Sequence, residues 1–129
     1  MIASAFGQKV SKGIKETGWH HIHGCMPEWY PLFPEIFPVF HWHEETFDLP
    51  QGATRLAEGV KVKNQAFIKG SAIGIQFHPE VTMKIVTHWT LDLPDAERDL
   101  IINESHQRFV DNRKMCFALM DAFVTGWKL

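Results

Sequence analysis

Gly74-Ile75-Gln76-Phe77-His78-Pro79-Glu80 is the stretch that decides the fold class. Residues 72–77 form a short apolar run, and such a run predicts a strand covered on both faces. The run ends in a histidine, then a proline that stops a strand ladder, then a carboxylate two residues beyond the histidine. An imidazole at a buried strand end, with an acid close by, is how a general base is held and oriented. The same residues also fit a plain strand end with a satisfied surface histidine. On these residues alone the two readings stand level.

Just upstream, residues 64–69 and 71–77 are apolar runs separated by Gly70, the pattern of a hairpin. Downstream, Val81, Ile85 and Trp89 have helical spacing over 81–89. Residues 94–124 open with Pro94, Asp95 and Glu97, favourable first-turn chemistry, and keep a near-helical apolar period through Phe123. A break in that helix is expected near Asp111-Asn112.

Toward the N-terminus, residues 1–6 read as the tail of a helix capped by Gly7. A helix of about one turn is not worth forming alone, so the expectation is a chain that begins inside an element. Residues 8–10 and 16–22 are expected strands, with a turn at His23-Gly24. Pro27, Pro31, Pro34 and Pro38 exclude a continuous helix and predict a loop with one short turn around 31–33. Residues 39–47 alternate in a strand-like way over their first half, with Val39, His41, His43 and Glu45 on one side. Leu49-Pro50-Gln51-Gly52 is a turn signal, and 53–58 is expected to be a helical turn closed at Gly59.

The bulk numbers narrow the function. A chain of 129 residues with 45% hydrophobic residues fits one domain with a respectable core. The net charge of -2, with both signs interspersed, makes nucleic acid and anionic membrane poor partners. No stretch reaches the length of a membrane span, and no signal pattern opens the chain. Cys25 and Cys116 make neither a CxxC pair nor a disulfide framework, so a cytoplasmic location is expected. Five Trp and ten Phe accompany one Tyr, and the cluster between Trp19 and Phe47 predicts a packed region rather than a mobile lid.

Several ordered motifs resemble one family. Val39-Phe40-His41-Trp42-His43-Glu44-Glu45-Thr46-Phe47-Asp48-Leu49-Pro50-Gln51-Gly52-Ala53 is similar to the central signature of class I glutamine amidotransferase domains. The likeness is nearest to stand-alone members related to the amidotransferase domain of GMP synthase. Gly18-Trp19, Pro31-Leu32-Phe33 and Asn64-Gln65-Ala66-Phe67 fall in that family's order, and Gln76-Phe77-His78-Pro79-Glu80 resembles its second catalytic motif. The resemblance covers residues 3–89, and the ordered set is more specific than any one motif.

The resemblance implies an α/β, partial flavodoxin-like domain of short strands and hairpins followed by C-terminal helices. It spans residues 1–129 as a single unit, with recognisable motifs over 1–89 and a helical segment over 90–129. It implies a Cys-His-Glu triad in which a thiolate attacks the side-chain amide of glutamine, ammonia leaves and a glutamyl thioester forms. His78 resembles the base of that triad and Glu80 the acid that orients it, which agrees with the need of a thiol for a base whose tautomer is fixed. His41 and His43 come from the strand end that lines the glutamine pocket. Asn64 and Gln65 come from recognised motifs without an assigned chemistry.

This chain has no Gly-x-Cys-x-Gly, the elbow that carries the family's nucleophile. Residues 1–10 resemble the helix just past that elbow and the strand after it, so the chain is expected to start beyond its nucleophile. Cys25 lacks the elbow context; protonated His20, His21 or His23 close by would lower its pKa, but an ordinary thiol is the expected state. Cys116, among Met115, Phe117 and Leu119, reads as packing. Glu44 stands where the family has glycine, and a solvated charge pair with Glu45 is the simpler reading.

Eight histidines invite a metal reading, with His20, His21, His23, His41 and His43 as donors. His-x-His alone is a weak signal, and the family motif containing it binds no metal, so neither a metal nor another cofactor is expected. His88 and His106 fall in helical segments and read as surface or half-buried.

Two function classes remain open. One is a glutamine amidotransferase-like protein with the His-Glu half of a glutamine-hydrolysing site, inactive alone unless a partner supplies the other half. The other is a non-catalytic interaction or self-associating module derived from such a domain, since a half-sheet exposes an edge and an apolar face.

Overall fold

The computed structural model describes residues 2–127. A short helix, α1 (Ile2–Ala5), is followed by two long strands, β1 (Val10–Gly24) and β2 (Phe37–Phe47). Strands β3 (Thr54–Glu58), β4 (Asn64–Lys69) and β5 (Ala72–Ile75) come next, and helices α2 (Met83–Trp89) and α3 (Asp95–Val124) close the order. The five strands form one sheet in the order β2-β1-β3-β4-β5, and every pairing is antiparallel. The architecture is the expected α/β class of short strands and hairpins followed by C-terminal helices.

The hairpin through Gly70 is present, with Lys69 opposite Ala72 and Gly70 at φ 58°. Ile73 and Ile75 pack on the main core, while Gly74 lies opposite Phe67. That position requires glycine, because the Phe67 ring fills the space a Cβ would take. The strand ends at Ile75 rather than at Phe77. Gln76 to His78 then cross back toward β2: the Gln76 side chain donates to the Glu45 carbonyl (2.9 Å) and the His78 N–H donates to the Phe40 carbonyl (2.9 Å). The sheet is thereby curled, and its two ends meet beside His78.

Several expectations are corrected. Residues 53–58 do not form a helical turn; Thr54–Glu58 is a strand held between β4 and the end of β1. The expected turn at His23-Gly24 is strand, because those residues pair with Glu58 and Ala57. Residues 10–24 form one strand, bulged between Lys12 and Glu16, and β2 runs its full length to Phe47. In the proline-rich loop the 3-10 turn lies at Pro27–Trp29, earlier than expected. Helix α3 is unbroken through Asp111-Asn112: Asn112 is buried and its amide donates to the Pro79 carbonyl at 2.9 Å, so the polar residue serves tertiary packing.

Three apolar groups hold these elements together. The largest joins Ile22, Phe33, Phe37, Val39, Leu56 and Phe77 to Leu119 and Ala122 of α3. The second sets Phe40, with Trp19 and Trp42, against Val86 of α2 and Ile101 of α3. The third packs Ala3 of α1 on Phe47 and Phe67. Phe33 and Phe40 are 0% exposed, and burial of a side chain of that size stabilises by about 1.5–3 kcal/mol. Gly18 permits the close approach of β1 to α3: it sits at φ 79°, and a Cβ there would lie 3.0 Å from Ile101 Cγ1. Trp19 then donates from its indole to Ser105 Oγ at 2.8 Å, fixing the strand to the helix.

Candidate active site

The curl of the sheet brings two histidine clusters to the same strand, β2. The first is the pair read from sequence. His78 Nδ1 lies 2.8 Å from Glu80 Oε1, and the His78 ring stands edge-on to Trp89 at 5.1 Å between centroids. The hydrogen bond to Glu80 raises the His78 pKa above its ordinary 6.5, against the opposing effect of burial. Burial is the largest single influence and pushes Glu80 up, but the hydrogen bond from His78, a backbone hydrogen bond and the His78 charge together leave the carboxyl below its ordinary 4.5. The pair sits on a partly exposed turn, each partner favouring the charged form of the other, with Asn112 holding the intervening Pro79 carbonyl.

His78 stands on a cleft of about 430 Å³ whose lining includes Trp42, His43, Glu45, Gly74 and Gln76. His43, expected at the pocket, lines this cleft. His41, expected beside it, does not: it is 0% exposed and faces inward. Glu44 is exposed, as a solvated charge should be, and pairs with Lys12 at 3.2 Å, a partner on β1 that sequence reading did not name.

The inward face of β2 carries the second cluster, and one of its members escapes sequence reading. Glu16 is the cross-strand partner of His43 and is only 3% exposed. Its Oε2 lies 3.0 Å from His43 Nε2 and 3.6 Å from His41 Nδ1, and the two ring nitrogens are 3.1 Å apart. Gln65 donates to the same oxygen at 3.1 Å and to the Val62 carbonyl at 2.9 Å. Burial pushes the His41 pKa down to about 3, a shift only partly opposed by the Glu16 carboxylate, so His41 is neutral. Burial also pushes Glu16 up and is the largest single influence, but the hydrogen bond facing His43, the neighbouring His41 and His43 rings and the Gln65 amide together leave its pKa lowered. Nothing local in the sequence marks Glu16, because its role depends on strand register.

Asn64 acts as a tie, donating to the Phe47 carbonyl (2.8 Å) and accepting from Arg55 Nε (2.9 Å). His20 is bonded to the Thr17 carbonyl at 2.8 Å, and His88 and His106 are exposed. Both cysteines are free and half-buried, and neither lines the cleft with His78. Burial and Glu58 raise the Cys25 thiol, against Arg55 and Lys63, so no histidine lowers it. Burial and then the Glu80 carboxylate raise Cys116. A raised thiol is a poor nucleophile.

No family model matches the sequence, and no curated protein matches it significantly. Solved structures do match. A glutamine amidotransferase from Thermotoga maritima superposes with a TM-score of 0.85 at 29% identity, over 96% of this chain and 58% of that one. A glutamine amidotransferase from Methylobacillus flagellatus superposes with a TM-score of 0.83 at 20% identity, over 98% of this chain and 59% of that one. The chain spans less than two thirds of the length of either structure. It thus resembles part of a glutamine amidotransferase domain, in the fold of its described residues as in its motifs.

Proposed function

We propose that this chain carries the His-Glu half of a Cys-His-Glu glutamine-hydrolysing site and does not turn over glutamine alone. The observation that carries the reading is the 2.8 Å contact between His78 Nδ1 and Glu80 Oε1 at the edge of a cleft. In that arrangement Glu80 fixes the tautomer of His78, leaving Nε2 to exchange a proton with a thiol and later with departing ammonia. A base and its orienting acid, with shifted pKa values beside a concave surface, support a site rather than a surface ornament. His43 and Gln76 line the same cleft and would border a bound substrate, the His43 ring nitrogens being turned to Glu16 and the Glu45 carbonyl. Glutamine is the proposed substrate on the likeness to glutamine amidotransferases, and a partner supplying a thiol on an elbow would complete the triad.

Ammonia release from glutamine by the purified chain, with His78→Ala beside it, tests the proposal. No release from either protein is expected, because removing a triad nucleophile leaves at best weak residual catalysis. Release that disappears in His78→Ala would overturn the half-site reading, and Cys25 would become the first thiol to replace. The base itself is read separately by NMR: the His78 imidazole titrates above 6.5, and Glu80→Gln returns it toward that value.

A second reading rests on α3. Leu100, Val110, Phe117, Met120 and Phe123 of this helix are each more than half exposed. A non-catalytic module that associates with itself or with another chain along this helix, chiefly through Val110, Phe117, Met120 and Phe123, accounts for them. Sedimentation of the pure chain as a compact, cooperatively folding monomer would remove self-association.

A further inference from the structure

We propose, against the expectation that the His-x-His motif binds no metal, that Glu16, His41 and His43 form a buried binding site for a zinc-type divalent ion, apart from the His78–Glu80 pair. The strand register that adds Glu16 to the two histidines is what changes the reading. Glu16 Oε2, His41 Nδ1 and His43 Nε2 converge on one point, with mutual separations of 3.0, 3.1 and 3.6 Å. Ligand atoms held about 2.0–2.1 Å from a tetrahedral zinc lie roughly 3.3 Å from one another, so the three atoms already stand near the corners of such a shell. Two imidazoles and one carboxylate are a donor set for zinc and not for magnesium or calcium, which take oxygen.

Hydrogen-bond counting favours a cation at that point. Both nitrogens of His43 face acceptors: Nε2 faces Glu16, and Nδ1 faces the Glu45 carbonyl at 3.2 Å. A neutral imidazole has one N–H for these two. Either tautomer leaves one acceptor without a donor: an N–H on Nε2 serves Glu16 and turns a lone pair to the Glu45 carbonyl, and an N–H on Nδ1 serves Glu45 and turns a lone pair to the Glu16 carboxylate. His41 Nδ1 is 3.1 Å from His43 Nε2 and, at 3.6 Å, too far from Glu16 for a good hydrogen bond. One ion bonded to all three atoms resolves the crowding. The Glu45 carbonyl then orients His43 from behind, and Gln65 orients Glu16, as outer partners do around metal ligands. His41 bears the cost, since coordination through Nδ1 leaves its proton on Nε2, which is buried with no protein partner among the described residues.

The scaffold and a route are both present. Glu16 and His43 are register partners on the β1–β2 ribbon, and His41 lies on the same face of β2 two residues away. His43 also borders two surface openings, the 430 Å³ cleft and a second of about 220 Å³ lined by Lys15, Thr17, Trp42 and Glu44. An ion enters past that ring. Three protein ligands leave the fourth position to water.

Titration of the chelator-stripped full chain with zinc chloride tests the proposal, followed by X-ray absorption at the zinc edge. One ion per chain is expected, with a raised Tm and a shell of nitrogen and oxygen that contains two imidazoles. Glu16→Gln should weaken binding by more than about 100-fold, and Gln65→Ala, which leaves all three ligands, by about 10–100-fold. A His21→Gln/His23→Gln double variant, which removes two exposed histidines, should bind as the parent does. Absence of stoichiometric binding, sulfur in the shell, or affinity unchanged by Glu16→Gln would each overturn the site. The absorption spectrum of the parent protein keeps the test decisive if Glu16→Gln fails to fold.

Discussion

His78–Glu80 and Glu16–His41–His43 are built from the same residue types, on two sides of one strand, with His43 and His78 lining the same cleft, and behave as opposites. The first lies on a turn, with side chains 29% and 57% exposed, and its histidine pKa rises. The second is nearly sealed, and burial drives its His41 down to about 3. Both use a two-residue spacing, which on the turn places base and acid side by side and on the strand puts two imidazoles on one face. Solvent decides the rest. Water screens the open pair and lets it exchange protons, whereas the closed cluster has only its own groups to call on, and His41 Nε2 and Gln65 Oε1 find no partner among the described residues.

Breaking the closed cluster should have the largest effect. Glu16→Ala, measured in the presence of a chelator, removes the carboxylate that faces His43, His41 and Gln65 together. The loss expected is about 3 kcal/mol or more, because three buried polar partners are stranded at about 1–3 kcal/mol each. Denaturant unfolding reads it directly, and a change below about 1 kcal/mol would mean that the cluster is hydrated and not closed.

Helix α3 buttresses both regions, so it offers two intermediate tests. Gly18 lies opposite His41 across the ribbon and is pressed on Ile101 at positive φ. Gly18→Ala should cost about 1–3 kcal/mol through strain and overpacking, with the His41 environment shifting in NMR spectra. Asn112→Ala removes the donor to the Pro79 carbonyl under the open pair. About 1 kcal/mol is expected there, with the His78 titration moved and the closed cluster unaffected. If Asn112→Ala disturbs His41 as much as His78, the two regions are coupled and the contrast between them fails.

Legibility in the sequence obeys the same division between local and non-local. Gly7 ends its helix, Gly70 makes its hairpin, and the spacing of His78 and Glu80 sets their contact, all within a few residues. Strand β3 is disguised as a helical turn because Thr54-Arg55-Leu56-Ala57-Glu58 is rich in helix formers, and pairing with β4 and β1 overrides that preference. Asn112 looks like a helix breaker because its bond to Pro79 spans 33 residues. Glu16 is invisible for the same reason: only the register that sets it opposite His43 makes a charged strand residue part of a core.

The smallest effect belongs to the open pair, and its pH dependence carries the information. Glu80 lies below its ordinary 4.5 in the folded chain, so its share of stability is present above 4.5 and is lost as pH falls through the lowered value. His78 lies above its ordinary 6.5, so its share is present below 6.5 and is lost as pH rises through the raised value. The coupling between them is therefore greatest between 4.5 and 6.5 and fades on both sides. Because Glu80 is more than half exposed, screening keeps that coupling below about 1 kcal/mol. A double-mutant cycle of His78→Ala and Glu80→Ala, run by denaturant unfolding across this window, should give a bell. A coupling that persists well above the His78 titration would place the pair in a closed environment like that of Glu16, and exposure would no longer explain why the two clusters differ.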